Sequence, residues 1–145
     1  MSGTLASWHL LAHNAPVLAV VPIARIKEGD FATTDVTAPA ILITRTSSIP
    51  RNTIAMTEPN ALNSERVQVT VFMKSTVATP AGTGKKGCDA LIAKVRTACP
   101  NQRATIAGVV VDSILPDIVG PDLSDIPTGI YSGSVDFIVN WHNAA

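Results

Sequence analysis

A strictly alternating segment, residues 65–74, constrains the fold more than any other part of the chain. Its odd-numbered positions are apolar apart from the first, whereas its even-numbered positions are mostly polar. The two sets are Glu65, Val67, Val69, Val71 and Met73 on one side and Arg66, Gln68, Thr70, Phe72 and Lys74 on the other. Because successive side chains of a strand point to opposite faces, this pattern predicts a β-strand with one face in the core.

One long helix is predicted between two breaks in the chain. A flexible segment, residues 76–84, precedes it, and Pro100 ends it because proline cannot continue a helix. Its apolar residues recur at helical spacing and form one stripe: Cys88, Leu91, Ile92, Val95 and Cys99. A second helix is predicted over residues 5–15, followed by a short helical turn that begins at Pro16. The residues near one face of the second helix are Leu5, Trp8, Ala12 and Ala15.

The remaining apolar segments predict further strands. They are residues 23–32, 39–48, 104–115 and 130–141. Strands in pairs around one amphipathic helix predict an α+β fold, with a mostly antiparallel β-sheet and one long and one or two shorter helices packed on one face. The 145 residues are most simply one domain, 1–145. Long loops are expected at about 46–64 and 116–129, and loops of this length are usually functional.

The composition indicates that other protein covers part of the surface. Charged residues make up 15% of the chain, against about 25% in an ordinary soluble domain. A monomer with a coat rich in Thr, Ser and Asn is the alternative reading. No run of 18 apolar residues is present, so no membrane-spanning segment is expected.

The charges are segregated along the chain although they cancel overall. Residues 74–103 carry six basic side chains against Asp89 alone, and residues 104–145 carry five Asp and no Lys or Arg. A general nucleic-acid binder would be basic as a whole. The segregation fits a surface whose positive part meets a neighbour's negative part, and it fits equally well two segments that neutralise each other within one subunit.

The candidate catalytic, phosphate-binding and metal-binding motifs each lack residues or an environment that their chemistry requires. The segment TPAGTGKKG lacks both the first glycine and the Ser/Thr of a phosphate loop. His9 and His13 have the spacing of metal ligands on a helix, but no third ligand is evident. Cys88 and Cys99 lie on the core stripe, where thiolate formation is disfavoured, and no serine sits in a nucleophile elbow. The sequence therefore predicts no catalytic residue, no metal site, no cofactor and no enzyme.

Several segments, taken in order, resemble the tail-completion or tail-terminator proteins of long-tailed bacteriophages and gene transfer agents. They are NAPVLAVV, ARIKEG, PAILITR, ERVQVTVFMKS, KGCDALIAKVRTA and YSGSVDFIVNWH. The resemblance covers most of the chain and rests on pattern and order, because none of these segments is a catalytic signature. The acidic loop at 116–129 is longer than the family pattern requires.

The resemblance implies a structural virion protein that forms a ring, usually of six subunits. Such a ring caps the finished tail tube and joins it to the head and neck. The implied partners are other copies of the chain, the tail tube protein and the head–tail connector or stopper protein, with no membrane. Genome DNA would pass through the lumen without specific binding. The implied location is the tail–neck junction of the virion, after synthesis in the bacterial cytoplasm.

A ring of identical subunits needs one patch that meets a different patch on the neighbour. We expect residues 74–103 of one subunit to face residues 104–145 of the next, and the loop at 46–64 to contact the last ring of the tube. The predicted interface residues are Arg45, Arg51, Asn52, Glu58, Asn60, Lys85, Lys86, Asp117, Asp122 and Asp125.

Three alternatives remain open on the residues alone. A neck or head-completion ring, acting as stopper or adaptor, would differ only in its partner. A small-ligand-binding or enzymatic α+β domain would need a pocket with convergent polar groups. A regulatory or toxin–antitoxin protein that binds nucleic acid is disfavoured by the zero net charge.

Overall fold

The computed structural model describes residues 3–29, 38–51, 62–76, 79–80, 82–125 and 129–143, without the side chains of residues 50, 51, 125 and 143. The helices are α1 (Gly3–Ala12), α2 (Ala15–Leu18) and α3 (Gly84–Ala98), and a 3₁₀ turn covers Ile23–Arg25. The strands are β1 (Ile26–Glu28), β2 (Ala40–Arg51), β3 (Leu62–Lys74), β4 (Ala104–Ile106), β5 (Val109–Val119), β6 (Leu123–Asp125) and β7 (Ile130–Asn143).

The strands form one seven-stranded sheet in the order β1-β2-β3-β7-β5-β4, and β6 also pairs with β7. Only the short β1–β2 contact is parallel, whereas every other pairing between these strands is antiparallel. The sheet and its few helices confirm the predicted α+β class and its mostly antiparallel strands.

The hydrophobic core lies on one face of this sheet. The alternation in β3 is confirmed, because its inner positions from Glu65 to Met73 are all fully buried. The matching inner positions of β7, from Val135 to Trp141, join the same core, and the predicted stripe of α3 packs against them. The buried members of that stripe are Cys88, Leu91, Ile92, Val95 and Cys99. The stripe therefore lies in the core, as predicted, and the long helix covers the two central strands, β3 and β7.

The buried face of α1 differs from the prediction. The predicted Ala12 is buried, as are Ala6 and Leu11, whereas the predicted Leu5 and Trp8 are half-buried and Ala15 is exposed. The apolar residues of α1 lie on all sides of the helix, so periodicity alone does not select a buried face. The orientation of α1 depends on contacts with residues far along the chain.

Two predicted loops contain strand structure, and one predicted strand is a hairpin. β2 continues through residues 46–51 and β3 begins at Leu62, so only residues 52–61 of the expected 46–64 loop lie between them, outside the described residues. β5 and β6 occupy much of the expected 116–129 loop. The predicted strand 104–115 is instead a hairpin with a two-residue turn, because Ala107 and Gly108 both have positive φ, as a type I′ turn requires.

Candidate assembly surfaces

Described strands cover each outer edge of the sheet over only part of its length. β1 pairs with residues 41–43 of β2, and β4 pairs with residues 109–111 of β5. Asn101 adds one contact, because its Oδ1 accepts the backbone N–H of Ile114 at 3.3 Å. Beyond these positions no described strand pairs with the outer side of β2 or of β5. Two open edges therefore remain within the described part of the chain.

The open edges expose consecutive residues on both faces of the strand. Residues 45–49 of β2 are all exposed, and so are residues 115–119 of β5. β6 continues the second edge, because β3 occupies the other side of β7. Of the six large apolar side chains exposed in the described residues, five lie on these edges. They are Ile49 (55% exposed), Leu115 (42%), Ile118 (55%), Val119 (55%) and Leu123 (60%).

The predicted interface residues fall mainly at these two edges. Arg45 and Arg51 lie on β2, whereas Asp117 lies on β5 and Asp125 on β6. Asp122 immediately precedes β6. Lys85 and Lys86 open helix α3. Asn52, Glu58 and Asn60 lie outside the described residues, as do the side chains of Arg51 and Asp125. The chain thus places arginines on one edge of the sheet and aspartates on the opposite edge.

Several of the segregated charges pair within the subunit. Lys85 Nζ lies 3.2 Å from Asp122 Oδ2, and hydrogen bonding to this carboxylate, with its negative charge, raises the pKa of Lys85. Arg103 Nε lies 3.4 Å from Asp112 Oδ1. These two pairs join the basic segment to the acidic segment within one chain. Lys86 is exposed at the start of α3.

A second charge cluster occupies the outer face of the sheet. Arg66 forms an ion pair with Asp117 and lies 3.4 Å from Asp136. The hydrogen bond and the negative charge of Asp117, followed by those of Asp136, raise the pKa of Arg66. This cluster ties β3 and β7 to the open part of β5.

A buried carboxylate fixes α1 to the sheet. Glu65 is fully buried, and its Oε2 accepts the backbone N–H of Gly3 at 2.5 Å and the indole N–H of Trp141. Its Oε1 has no hydrogen-bond partner in the described residues, although Arg45 Nη1 lies 3.6 Å away. A Cβ at position 3 would approach Glu65 Oε2 to 3.0 Å and Val139 Cβ to 3.2 Å. Glycine therefore permits this close contact.

The candidate chemical groups of the sequence are two cysteines on or beside α3 and two histidines on or beside α1. Burial raises the pKa of Cys88 to about 11 and that of Cys99 to about 12, which disfavours the nucleophilic thiolate. An open depression of about 460 Å³ lies between α1, the end of α3 and the β4–β5 turn. His9 and His13 stack there with ring centroids 4.3 Å apart, but no carboxylate, lysine, arginine or cysteine lines it.

The described residues contain no group of three or more His, Cys, Asp and Glu side chains that could hold a metal ion. Across the same part of the chain, no helix combines the length and the apolar character needed to cross a membrane.

Comparison with known proteins identifies a shared fold. No family model matches the sequence, and no curated protein matches it. Among solved structures, a chain of the virion of a native gene transfer agent particle covers 98% of this chain and 96% of its own length, with a TM-score of 0.68 and 10% sequence identity. The two chains have the same fold. At this identity the likeness shows the fold alone, and it extends over nearly the full length of both chains.

Proposed function

We propose that this protein is a structural component of a phage-like particle, in which it forms a ring that caps the tail tube and joins it to the head and neck. The observation that carries the proposal is the end-to-end fold match to a chain of a gene transfer agent virion. Segments along most of the sequence also resemble tail-terminator proteins, and this resemblance implies a ring of six subunits at the tail–neck junction.

The arrangement of the described side chains supports a role in assembly more than one in catalysis. The thiols are buried and have raised pKa values, and the depression of about 460 Å³ has no described carboxylate beside its two histidines. A catalytic site needs convergent groups with tuned pKa values. In contrast, two partly uncovered strand edges with exposed apolar side chains are features of a surface that binds protein.

The connection between β2 and β3 is the proposed contact with the tail tube. Residues 52–61 join two strands that stay paired up to Arg51 and Leu62. They include three predicted interface residues, Asn52, Glu58 and Asn60. Because the strand pairing continues to their ends, these ten residues can be replaced by an Asn-Gly turn without disturbing the register.

Sedimentation with purified tail tubes tests this role. We expect the wild-type protein to co-sediment with tubes and to be located at one tube end by electron microscopy. The variant with Asn-Gly in place of residues 52–61 should keep the circular dichroism spectrum and melting temperature of the wild type but lose tube binding. In a matched control, a Gly/Ser linker of the same length replaces residues 52–61. This control keeps the loop length and removes the loop side chains, so it separates the two effects.

Three results would contradict parts of this proposal. Wild-type protein that does not bind tail tubes but binds the connector would indicate a neck or head-completion ring instead. Normal tube binding by both loop variants would remove this loop from the interface. Binding of neither tubes nor connector would overturn the assembly role itself.

A further inference from the structure

We propose that neighbouring subunits join by pairing the open edge of β5 in one copy with the open edge of β2 in the next, so that the sheet continues from subunit to subunit. This inference rests on the proposed ring and specifies its subunit contact. The partner is a second copy of this chain. Each contact joins two different edges, β5 of one copy and β2 of the other.

The strand directions permit this continuation. β2 is antiparallel to β3, β3 to β7, and β7 to β5, so β2 and β5 run in opposite directions. When two copies stand side by side in the same orientation, the β5 edge of one faces the β2 edge of the other as an antiparallel neighbour. The alternation of strand direction is then maintained across the contact, and the edge N–H and C=O groups that have no strand partner within the described residues gain one.

The side chains of the two edges suit each other. Residues 45–49 and residues 115–119 each form an exposed run of five within a strand, which is unusual where a strand is covered on one face. Both runs carry apolar side chains that are half exposed in the isolated subunit, Ile49 on one and Ile118 and Val119 on the other. Pairing the edges would bury these apolar groups against the neighbouring copy.

Ring closure favours pairing between unlike edges. The charges on these edges already have partners within the subunit, because Asp117 pairs with Arg66 and Arg45 Nη1 lies 3.6 Å from Glu65 Oε1. Pairing β2 with β2, or β5 with β5, would leave the other edge of each subunit open. Pairing unlike edges uses both edges of every subunit, which is the contact that a closed ring requires.

Cysteine cross-linking between singly substituted proteins tests the edge assignment. One set of variants carries Ser47→Cys, Ser48→Cys or Ile49→Cys on β2, and the other carries Leu115→Cys, Ile118→Cys or Val119→Cys on β5. Every pairwise mixture is oxidised in solution and on tail tubes, then analysed by non-reducing electrophoresis. The native Cys88 and Cys99 are 1% and 2% exposed, so they contribute no background. We expect dimers in mixtures of a β2 variant with a β5 variant.

Lysine substitutions provide a second measurement. Ile49→Lys and Ile118→Lys should each weaken self-association in sedimentation velocity by about tenfold or more. The circular dichroism spectrum should not change, because each side chain is 55% exposed in the subunit. Ile23→Lys is the matched control, since Ile23 is 49% exposed but lies in the 3₁₀ turn that precedes β1, and β1 pairs with residues 41–43 of β2 and not with the open residues 45–49. It should leave self-association unchanged.

The outcomes separate this inference from the proposed function. Dimers formed by single variants alone would indicate like-edge pairing and overturn the unlike-edge contact. Rings that tolerate both lysine substitutions, or that give no cross-link in any mixture, would overturn the edge assignment while leaving the ring itself in place. Failure of the proposed function would appear instead as wild-type protein that binds neither tubes nor connector.

Discussion

Glu65 shows how one side chain links distant parts of the chain. Its carboxylate receives the N–H of Gly3, 62 positions earlier, and the indole of Trp141, 76 positions later. The alternation in β3 places Glu65 on the inner face, but no local pattern identifies its partners. A buried carboxylate is stable only when hydrogen bonds compensate its desolvation. Sequence periodicity could therefore predict where Glu65 points and could not predict what it binds.

Loss of the hydrogen bond from the Trp141 indole to Glu65 should destabilise the protein more than loss of an indole hydrogen bond to a backbone oxygen. Trp141→Phe should lower the free energy of unfolding by about 2 kcal/mol, because it removes one donor from the fully buried carboxyl group of Glu65, and an unsatisfied buried polar group costs about 1–3 kcal/mol. Trp8→Phe is the matched control, since Trp8 donates to the backbone oxygen of Ile26 at 2.9 Å. It should cost about 1 kcal/mol. Urea denaturation measures both values, and equal losses in the two variants would contradict the special role of Glu65.

Elements covered on one face were predictable, whereas edge elements were not. β3, β7 and α3 each bury one side, so their sequences carry a clear period. Residues 45–49 and 115–119 are exposed on both faces, which removes the alternation that marks a strand, so the sequence predicts strands only as far as residues 48 and 115. The face predicted for α1 was only partly right for the opposite reason, because apolar residues lie on all sides of that helix and only Ala12 of the predicted residues is buried. The hairpin between β4 and β5 lacked the usual Asn-Gly or Asp-Gly signal.

The β4–β5 turn offers a stabilising substitution. Ala107 has a φ of 51°, in the left-handed region that disfavours L-residues with an ordinary side chain. Asn tolerates this region and precedes glycine in the favoured type I′ turn, so Ala107→Asn should raise the free energy of unfolding by about 1 kcal/mol. Ala107→Val should lower it, since a β-branched residue is strained at positive φ. Thermal denaturation of both variants checks the opposite signs, and destabilisation by Asn would argue against this turn type.

Pairing within the subunit changes the interpretation of the charge segregation in the whole molecule. The basic segment 74–103 and the acidic segment 104–145 are joined by Lys85–Asp122 and Arg103–Asp112 in the same chain. Residues distant in sequence meet here only because the sheet brings them together. The sequence could therefore reveal complementary charges but not whether they meet within one subunit or between two. These pairs leave fewer of the segregated charges available to a neighbour, whereas the open edges retain their exposed apolar side chains.

The salt dependence of self-association distinguishes these two kinds of contact. If apolar strand edges hold the ring together, its mass by light scattering should be unchanged between about 0.1 and 1 M NaCl, because salt screens exposed charges over roughly 3–10 Å but does not weaken apolar burial. Lys86→Glu, which reverses an exposed charge at the start of α3, should likewise leave the mass unchanged. Dissociation at high salt together with loss of the ring in the Lys86 variant would instead assign the subunit contact to the segregated charges of residues 74–103 and 104–145.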